Sequence, residues 1–70
     1  MDEVEITTEY IKLDAFLKFT GAVDTGGEAK IRIAEGEVKV NGQVCTQRGK
    51  KLRDGDLVEI HGELMEVHGP

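Results

Sequence analysis

Several residue types that define common classes of protein are scarce in this sequence. Its only cysteine is Cys45, which excludes an intramolecular disulfide and a zinc site built from several cysteines. Its two histidines, His61 and His68, have no carboxylate partner that the sequence defines and belong to no recognised nucleophile motif. We therefore expect no metal site and no cofactor.

Long apolar runs are also missing. No stretch approaches the roughly 20 apolar residues that cross a bilayer. The acidic residues 1–9 lack the basic and apolar regions of a signal peptide. We expect a cytoplasmic protein that does not contact membranes.

The length of the chain limits what it can do. A domain of 70 residues buries only roughly 60% of the surface that its unfolded chain exposes. Such a small core leaves no room for a deep cleft that excludes water. We predict one domain over residues 1–70, without enzymatic activity and monomeric.

The net charge of −5 argues at first against a nucleic acid as partner, because phosphate contacts depend on Lys and Arg. The distribution of charge points the other way. Residues 26–53 contain seven basic and three acidic residues, whereas residues 1–25 contain two and six, and residues 54–70 none and five. This pattern predicts a polarised surface; a scatter of solubilising charge is the alternative.

The segment 25–42, TGGEAKIRIAEGEVKVNG, predicts a helix that begins at about Gly26. Thr25 and Glu28 form a capping box, in which the Thr25 side chain accepts from the Glu28 amide and the Glu28 side chain accepts from the Thr25 amide. The apolar side of this helix contains Ala29 and Ile33, and Ala34 widens it.

A glycine and a hairpin follow this helix. Gly36 ends it, because only glycine adopts the left-handed conformation without a steric penalty. Val38 and Val40 alternate with charged residues as in a half-buried strand, and Asn41-Gly42 is typical of a two-residue hairpin turn.

The remaining elements are shorter. Leu13, Phe16 and Leu17 have helical spacing and precede Gly21, so they predict a first helix that packs on the second. Phe16 is assigned to the core, whereas Phe19 is either packed or an exposed residue on which a base stacks. Alternating apolar residues predict three further strands, around residues 4–6, 57–60 and 64–67.

The order and spacing of EAKIRIAEGEVKVNG and the later KLRDGD resemble the S4 RNA-binding domain family, or αL motif, most densely over residues 13–60. The chain is similar to the stand-alone bacterial members of the YaaA/YbcJ type. The resemblance implies an α+β fold, with two short packed helices against a small, mainly antiparallel β-sheet. It also implies a basic surface for structured RNA, with ribosomal RNA as the expected ligand.

The chain departs from the family pattern at two positions of the second helix. Many members have an apolar residue where this chain has Arg32, and a basic residue where it has Ala34. The RNA footprint of this helix is therefore expected to be shifted.

The predicted RNA contacts lie on the second helix, the hairpin and the 47–53 loop. Arg and Lys would hold phosphates, and the hairpin asparagine would bond to sugars or bases. These residues are Lys30, Arg32, Lys39, Asn41, Arg48, Lys50, Lys51 and Arg53.

Two points about the second helix are open in the sequence. Gly26 and Gly27 are a further candidate phosphate contact, because amides at a helix start are unpaired; alternatively, they relieve crowding against the first helix. Arg32 lies roughly 200° around the helix from Lys30. It either reaches around with its flexible stem or is a solvated charge.

A second hypothesis is a protein-interaction adaptor of a small β-rich, ubiquitin-like type that does not bind RNA. In either case, the acidic ends of the chain are a candidate surface for a protein partner.

Overall fold

The computed structural model describes the whole chain, from Met1 to Pro70. It contains two helices, α1 (Leu13–Thr20) and α2 (Gly26–Ala34), and seven strands. The strands are β1 (Asp2–Glu5), β2 (Ile11–Lys12), β3 (Val38–Val40), β4 (Gln43–Val44), β5 (Lys51–Leu52), β6 (Leu57–Ile60) and β7 (Glu63–His68).

Five of the strands form one sheet in the order β1-β7-β6-β3-β4. Only the pair β1 and β7 is parallel; the other three pairs are antiparallel. Strands β2 and β5 form a separate antiparallel ribbon of two residues each. This architecture confirms the predicted α+β fold with a mainly antiparallel sheet.

The core is one cluster of 14 buried apolar side chains contributed by both helices and by the strands. Phe16 is fully buried, as predicted, and Ala29 and Ile33 of α2 lie in the same cluster. Ala34 is exposed, so the prediction that it widens the apolar side of α2 is wrong. One residue of helix rotates a side chain by roughly 100°, which turns Ala34 away from the core.

The ends of α2 follow the sequence signals closely. Thr25 Oγ1 accepts from the Glu28 amide at 3.1 Å. The Glu28 carboxylate, however, accepts from the amide of Asp24 at 3.0 Å and not from that of Thr25, which corrects the predicted capping box. At the other end, Gly36 has φ 77°. Its amide donates to Ile33 O, and the next amide donates to Arg32 O, both at 3.1 Å, which is a Schellman motif.

Two hairpin turns fix which side chains face the core. Asn41 and Gly42 have φ of 52° and 84°, as predicted, and His61 and Gly62 repeat this pattern at 52° and 78°. Val38 and Val40 are consequently buried, while Lys39 lies on the outer face of the sheet.

Neither helix has the length and apolar character needed to span a membrane.

Candidate nucleic-acid interface

The ribbon formed by β2 and β5 has one buried side and one exposed side. Its register sets Ile11 opposite Leu52 and Lys12 opposite Lys51. Leu52 is fully buried, whereas Lys12 and Lys51 are exposed. Because side chains alternate along a strand, the exposed side continues to the flanking residues Tyr10 and Arg53. We call the side chains of Tyr10, Lys12, Lys51 and Arg53 the ribbon face.

Positive charge is concentrated on the ribbon face without an internal counter-charge. Two lysines directly opposite each other repel, and no carboxylate lies within 4.0 Å of the charged nitrogens of Lys12, Lys51 or Arg53. Tyr10 lies beneath two of these cations, with its ring centre 4.8 Å from Lys51 Nζ and 5.5 Å from Arg53 Cζ. The ring attracts the cations but leaves their charge available to an external anion.

The basic loop that precedes β5 is attached to the start of α1. A turn closes it, with the Lys50 amide donating to Gln47 O at 3.1 Å. The carbonyl oxygen of Lys50 accepts from the Leu13 amide at 2.8 Å, and that of Arg48 accepts from the Asp14 amide at 3.1 Å. These bonds satisfy amides that an isolated helix leaves unpaired, so the exposed Arg48 and Lys50 side chains have a fixed base.

This attachment corrects the predicted loop. The sequence predicted one loop over residues 47–53, whereas Lys51 and Leu52 form β5 and the loop carbonyls cap α1. Capping by distant main-chain atoms has no side-chain signature.

The first turn of α2 is open to solvent. A Cβ atom added at Gly26 would meet nothing within 4 Å, and one at Gly27 would meet only Thr25 Oγ1 at 3.9 Å. The alternative that these glycines relieve crowding against α1 is therefore wrong. Lys30 is exposed one turn further along. A phosphate could approach the free amides here without steric hindrance.

Arg32 lies in a network of ion pairs on another side of α2. Its guanidinium is 3.5 Å from a Glu28 oxygen and 3.4 Å from a Glu37 oxygen. The hydrogen bond to Glu37 raises the pKa of Arg32. Its Nε atom is buried without a partner. Arg32 is therefore paired with two carboxylates on this side of α2, and a contact of Arg32 with RNA stays a prediction.

The same network continues to the β6–β7 turn. His61 Nε2 lies 2.9 Å from the second oxygen of Glu37. This hydrogen bond is the largest influence that lowers the pKa of Glu37. Arg32 and His61 therefore both contact the Glu37 carboxylate, and these contacts connect the end of α2 to the β6–β7 turn.

Lys39 and Asn41 also have neighbours within the protein. Lys39 stands directly across from Glu59 on the outer face of the sheet. The Asn41 side chain accepts from the Leu57 amide at 2.9 Å and donates to Asp56 Oδ1 at 3.1 Å. Its amide group thus braces the hairpin against the start of β6, and an additional bond to RNA stays a prediction.

The structure thus brings together only part of the predicted set. Lys51 and Arg53 share the ribbon face, and the adjoining loop presents Arg48 and Lys50. The sequence analysis missed Tyr10 and Lys12 as members of the ribbon face. The only signal in the sequence is that Tyr10 and Lys12 flank Ile11 as Lys51 and Arg53 flank Leu52, a pattern too short to stand out.

Negative charge is concentrated at the β1–β7 edge of the sheet. Glu3 stands opposite Glu66 in the parallel register. His68 Nε2 lies 3.4 Å from a Glu3 oxygen and 3.1 Å from a Glu66 oxygen, and all three ligand atoms lie within 4.8 Å of one another. The hydrogen bond to Glu66 is the main cause that raises the pKa of His68. His68 therefore has the carboxylate partners that the sequence did not reveal.

Comparison with known proteins identifies the family. The sequence model of the S4 domain matches residues 4–68. The chain belongs to the S4 domain family. This S4 domain is 46% identical over 59 residues to the Probable ribosome maturation protein RlbA of Bacillus subtilis (strain 168), covering 84% of this chain and 83% of RlbA.

Two solved structures resemble this S4 domain. The solution structure of YbcJ from E. coli, described as having an αL motif involved in RNA-binding, has a TM-score of 0.73 and 35% identity over 97% of this chain and 87% of YbcJ. The crystal structure of the 30S ribosomal protein S4e from Thermoplasma acidophilum has a TM-score of 0.62 and 26% identity, over 83% of this chain and 31% of S4e. The fold is thus shared with a stand-alone relative and with a part of a larger ribosomal protein.

Proposed function

We propose that this S4 domain, as a single monomeric unit, binds structured RNA, with ribosomal RNA as the ligand class, and catalyses no reaction. The main contact is the ribbon face together with Arg48 and Lys50 of the adjoining loop. The single observation that carries the proposal is the group of three cations on the ribbon face, which have no carboxylate partner although the chain has a net charge of −5.

Phosphate groups are the ligand that suits this arrangement. Bringing Lys12 and Lys51 together across the ribbon is unfavourable by itself. A bound phosphate would attract both lysines and so offset their mutual repulsion. Arg53 offers bidentate geometry and the lysines offer mobile point charges, which together suit a phosphate backbone.

A second contact involves α2. Lys30 and the open amides at Gly26 and Gly27 are suited to one further phosphate. Lys39, Arg32 and Asn41 are assigned a smaller share, because each has an acidic or main-chain neighbour within the protein.

The relatives support the ligand class. The name of RlbA refers to ribosome maturation, S4e is a ribosomal protein, and YbcJ has a motif involved in RNA-binding. By this analogy, we place the action of this chain on ribosomal RNA in the cytoplasm.

The proposal is tested by measuring affinity for ribosomal subunits and for structured ribosomal RNA fragments over a salt series. For about four to six phosphate contacts we expect a log-log slope of roughly −3 to −5. The triple variant Lys12→Ala, Lys51→Ala, Arg53→Ala should bind more weakly, with a slope smaller by about three.

Lys18→Ala is the matched control, because it removes an exposed lysine of α1 that is not among the proposed contacts. It should leave both affinity and slope almost unchanged. Tight binding to subunits that neither salt nor the triple substitution changes would contradict the proposal and would favour the protein-adaptor hypothesis.

A further inference from the structure

Tyr10 is the only tyrosine of a chain without tryptophan, and it lies outside the core. It is 37% exposed and borders an open groove. The groove is lined by Thr8, Glu9, Tyr10, Ile11, Lys12 and Ala15. No residue of β5 lines it, so the groove lies on the α1 side of β2, away from the strand that carries Lys51 and Arg53.

The lining of this groove does not suit a phosphate. Ile11, Ala15 and the Tyr10 ring provide apolar surface, and Glu9 provides a carboxylate with no cationic partner within 4.0 Å. A phosphate would be repelled by Glu9. A nucleobase suits the same lining. Its flat faces are apolar, and its N–H groups donate hydrogen bonds that a carboxylate accepts.

The cations around the groove complete the site. Lys12 is part of its lining, while Lys51 and Arg53 lie against Tyr10 from the other strand. The hydroxyl of Thr8 donates to Tyr10 O at 2.8 Å, which fixes the main chain that carries the ring. A base stacked on Tyr10 would thus have three cations near it to hold its own phosphate and the next one.

We infer that the groove beside Tyr10 takes one unpaired base, stacked on the phenol ring, while Lys12, Lys51 and Arg53 hold the adjoining phosphates. This inference rests on the proposed function and makes it more specific. The preferred ligand is a helix with a bulged or looped-out nucleotide, because the bases of a regular RNA duplex are not available for stacking.

The test uses two RNA hairpins that differ only in one bulged adenine. Because Tyr10 is the only tyrosine and there is no tryptophan, intrinsic fluorescence reports on this ring alone. We expect the bulged hairpin to bind more tightly and to quench the emission of Tyr10 more strongly at saturation. The paired hairpin corrects for absorption by the RNA.

Substitutions separate stacking from electrostatics. Tyr10→Ala should weaken binding of the bulged hairpin about 5-fold to about 150-fold and bring it close to that of the paired hairpin. Tyr10→Phe should retain most of the affinity, because it keeps the ring. Phe19 is 62% exposed on α1 and thus not packed, so Phe19→Ala tests the other stacking residue that the sequence left open. Leu64→Ala on β7 is the matched control, since Leu64 is 39% exposed and does not line the groove.

The outcomes distinguish the two proposals. Equal affinity and equal quenching with both hairpins would overturn the stacked base and leave RNA binding intact. An equal loss of affinity for both hairpins in the Tyr10→Ala variant would also overturn the stacked base. The ring would then act only by holding Lys51 and Arg53 in place. Absence of salt-sensitive binding to either hairpin would overturn both proposals.

Discussion

The ribbon face and the β1–β7 edge both place like charges directly opposite each other across two strands. On the ribbon the pair is Lys12 and Lys51; at the edge it is Glu3 and Glu66. At the edge, His68 lies within 3.4 Å of both carboxylates and supplies a counter-charge when it is protonated. On the ribbon, no carboxylate lies within 4.0 Å of the cations to supply a counter-charge.

This difference separates a self-contained charge cluster from one that suits an external ligand. Like charges opposite each other are unfavourable in a sheet unless a partner compensates them. Because the edge has an internal partner, its repulsion is reduced within the protein when His68 is protonated. The ribbon has only the Tyr10 ring, which attracts cations without neutralising them.

Leu52→Ala should have the largest effect of the changes considered, because it removes the buried side chain beneath the ribbon face. Leu52 is fully buried beneath the ribbon face, and its truncation should lower the free energy of unfolding by about 2–5 kcal/mol. Urea denaturation measures this change. The control is Leu64→Ala on β7, where the side chain is 39% exposed and the loss should be much smaller. Equal decreases in the free energy of unfolding for Leu52→Ala and Leu64→Ala would show that Leu52 does not anchor the ribbon.

Lys12→Glu, at the residue opposite Lys51 that has no contact with the Tyr10 ring, should change folding and binding in opposite directions. It replaces a repulsive pair with an attractive one, so the free energy of unfolding should rise by about 0.2–1 kcal/mol. RNA affinity should fall by about tenfold or more at low salt, because a phosphate contact becomes a repulsion.

Denaturation and RNA titration of the same Lys12→Glu preparation measure the two effects. Lys18→Glu on α1 serves as control, since it makes the same change of charge at an exposed lysine outside the proposed contacts and should leave RNA affinity nearly unchanged. A Lys12→Glu variant that is less stable and binds RNA normally would contradict the account of the ribbon face.

His68→Ala should give the smallest effect, and one that depends on pH. The pKa of His68 is raised in the folded state, so protonated His68 stabilises the fold. This contribution is fully present below the unfolded pKa of about 6.5 and disappears as the pH rises through the higher folded value. The stability difference between the wild type and His68→Ala should therefore shrink from mildly acidic to alkaline pH.

Denaturation curves at several pH values check this, and Glu66→Gln should reduce the same pH dependence because it removes the main partner. RNA affinity should be unaffected by His68→Ala. A difference that grows with rising pH would show that the edge is not compensated by His68.

The parts of the fold that the sequence predicted have local signals. The helix α2 begins after the capping residue Thr25 and ends at Ala34, two residues before the left-handed Gly36, and the Asn41-Gly42 turn follows. Each of these features is decided by neighbours within a few residues. The stereochemistry of a single glycine or cap therefore suffices to predict it.

The ribbon could not be predicted in the same way. Its strands have two residues each and lie about forty residues apart in the chain, too short for a periodic pattern to stand out. Lys51 consequently passed for a loop residue, and Tyr10 with Lys12 went unnoticed. The role of Arg32 was missed for a related reason, because Glu37 approaches it only after the chain has turned at Gly36.

The central claim is that RNA binds to the ribbon face and not to the acidic edge. The most direct measurement is the change of backbone amide chemical shifts in the 15N-labelled protein on titration with the bulged hairpin RNA. The account predicts the largest changes in residues 10–12 and 48–53, smaller ones in residues 26–30, and none in β1 or β7. Changes concentrated in β1 and β7, with the ribbon unaffected, would contradict it.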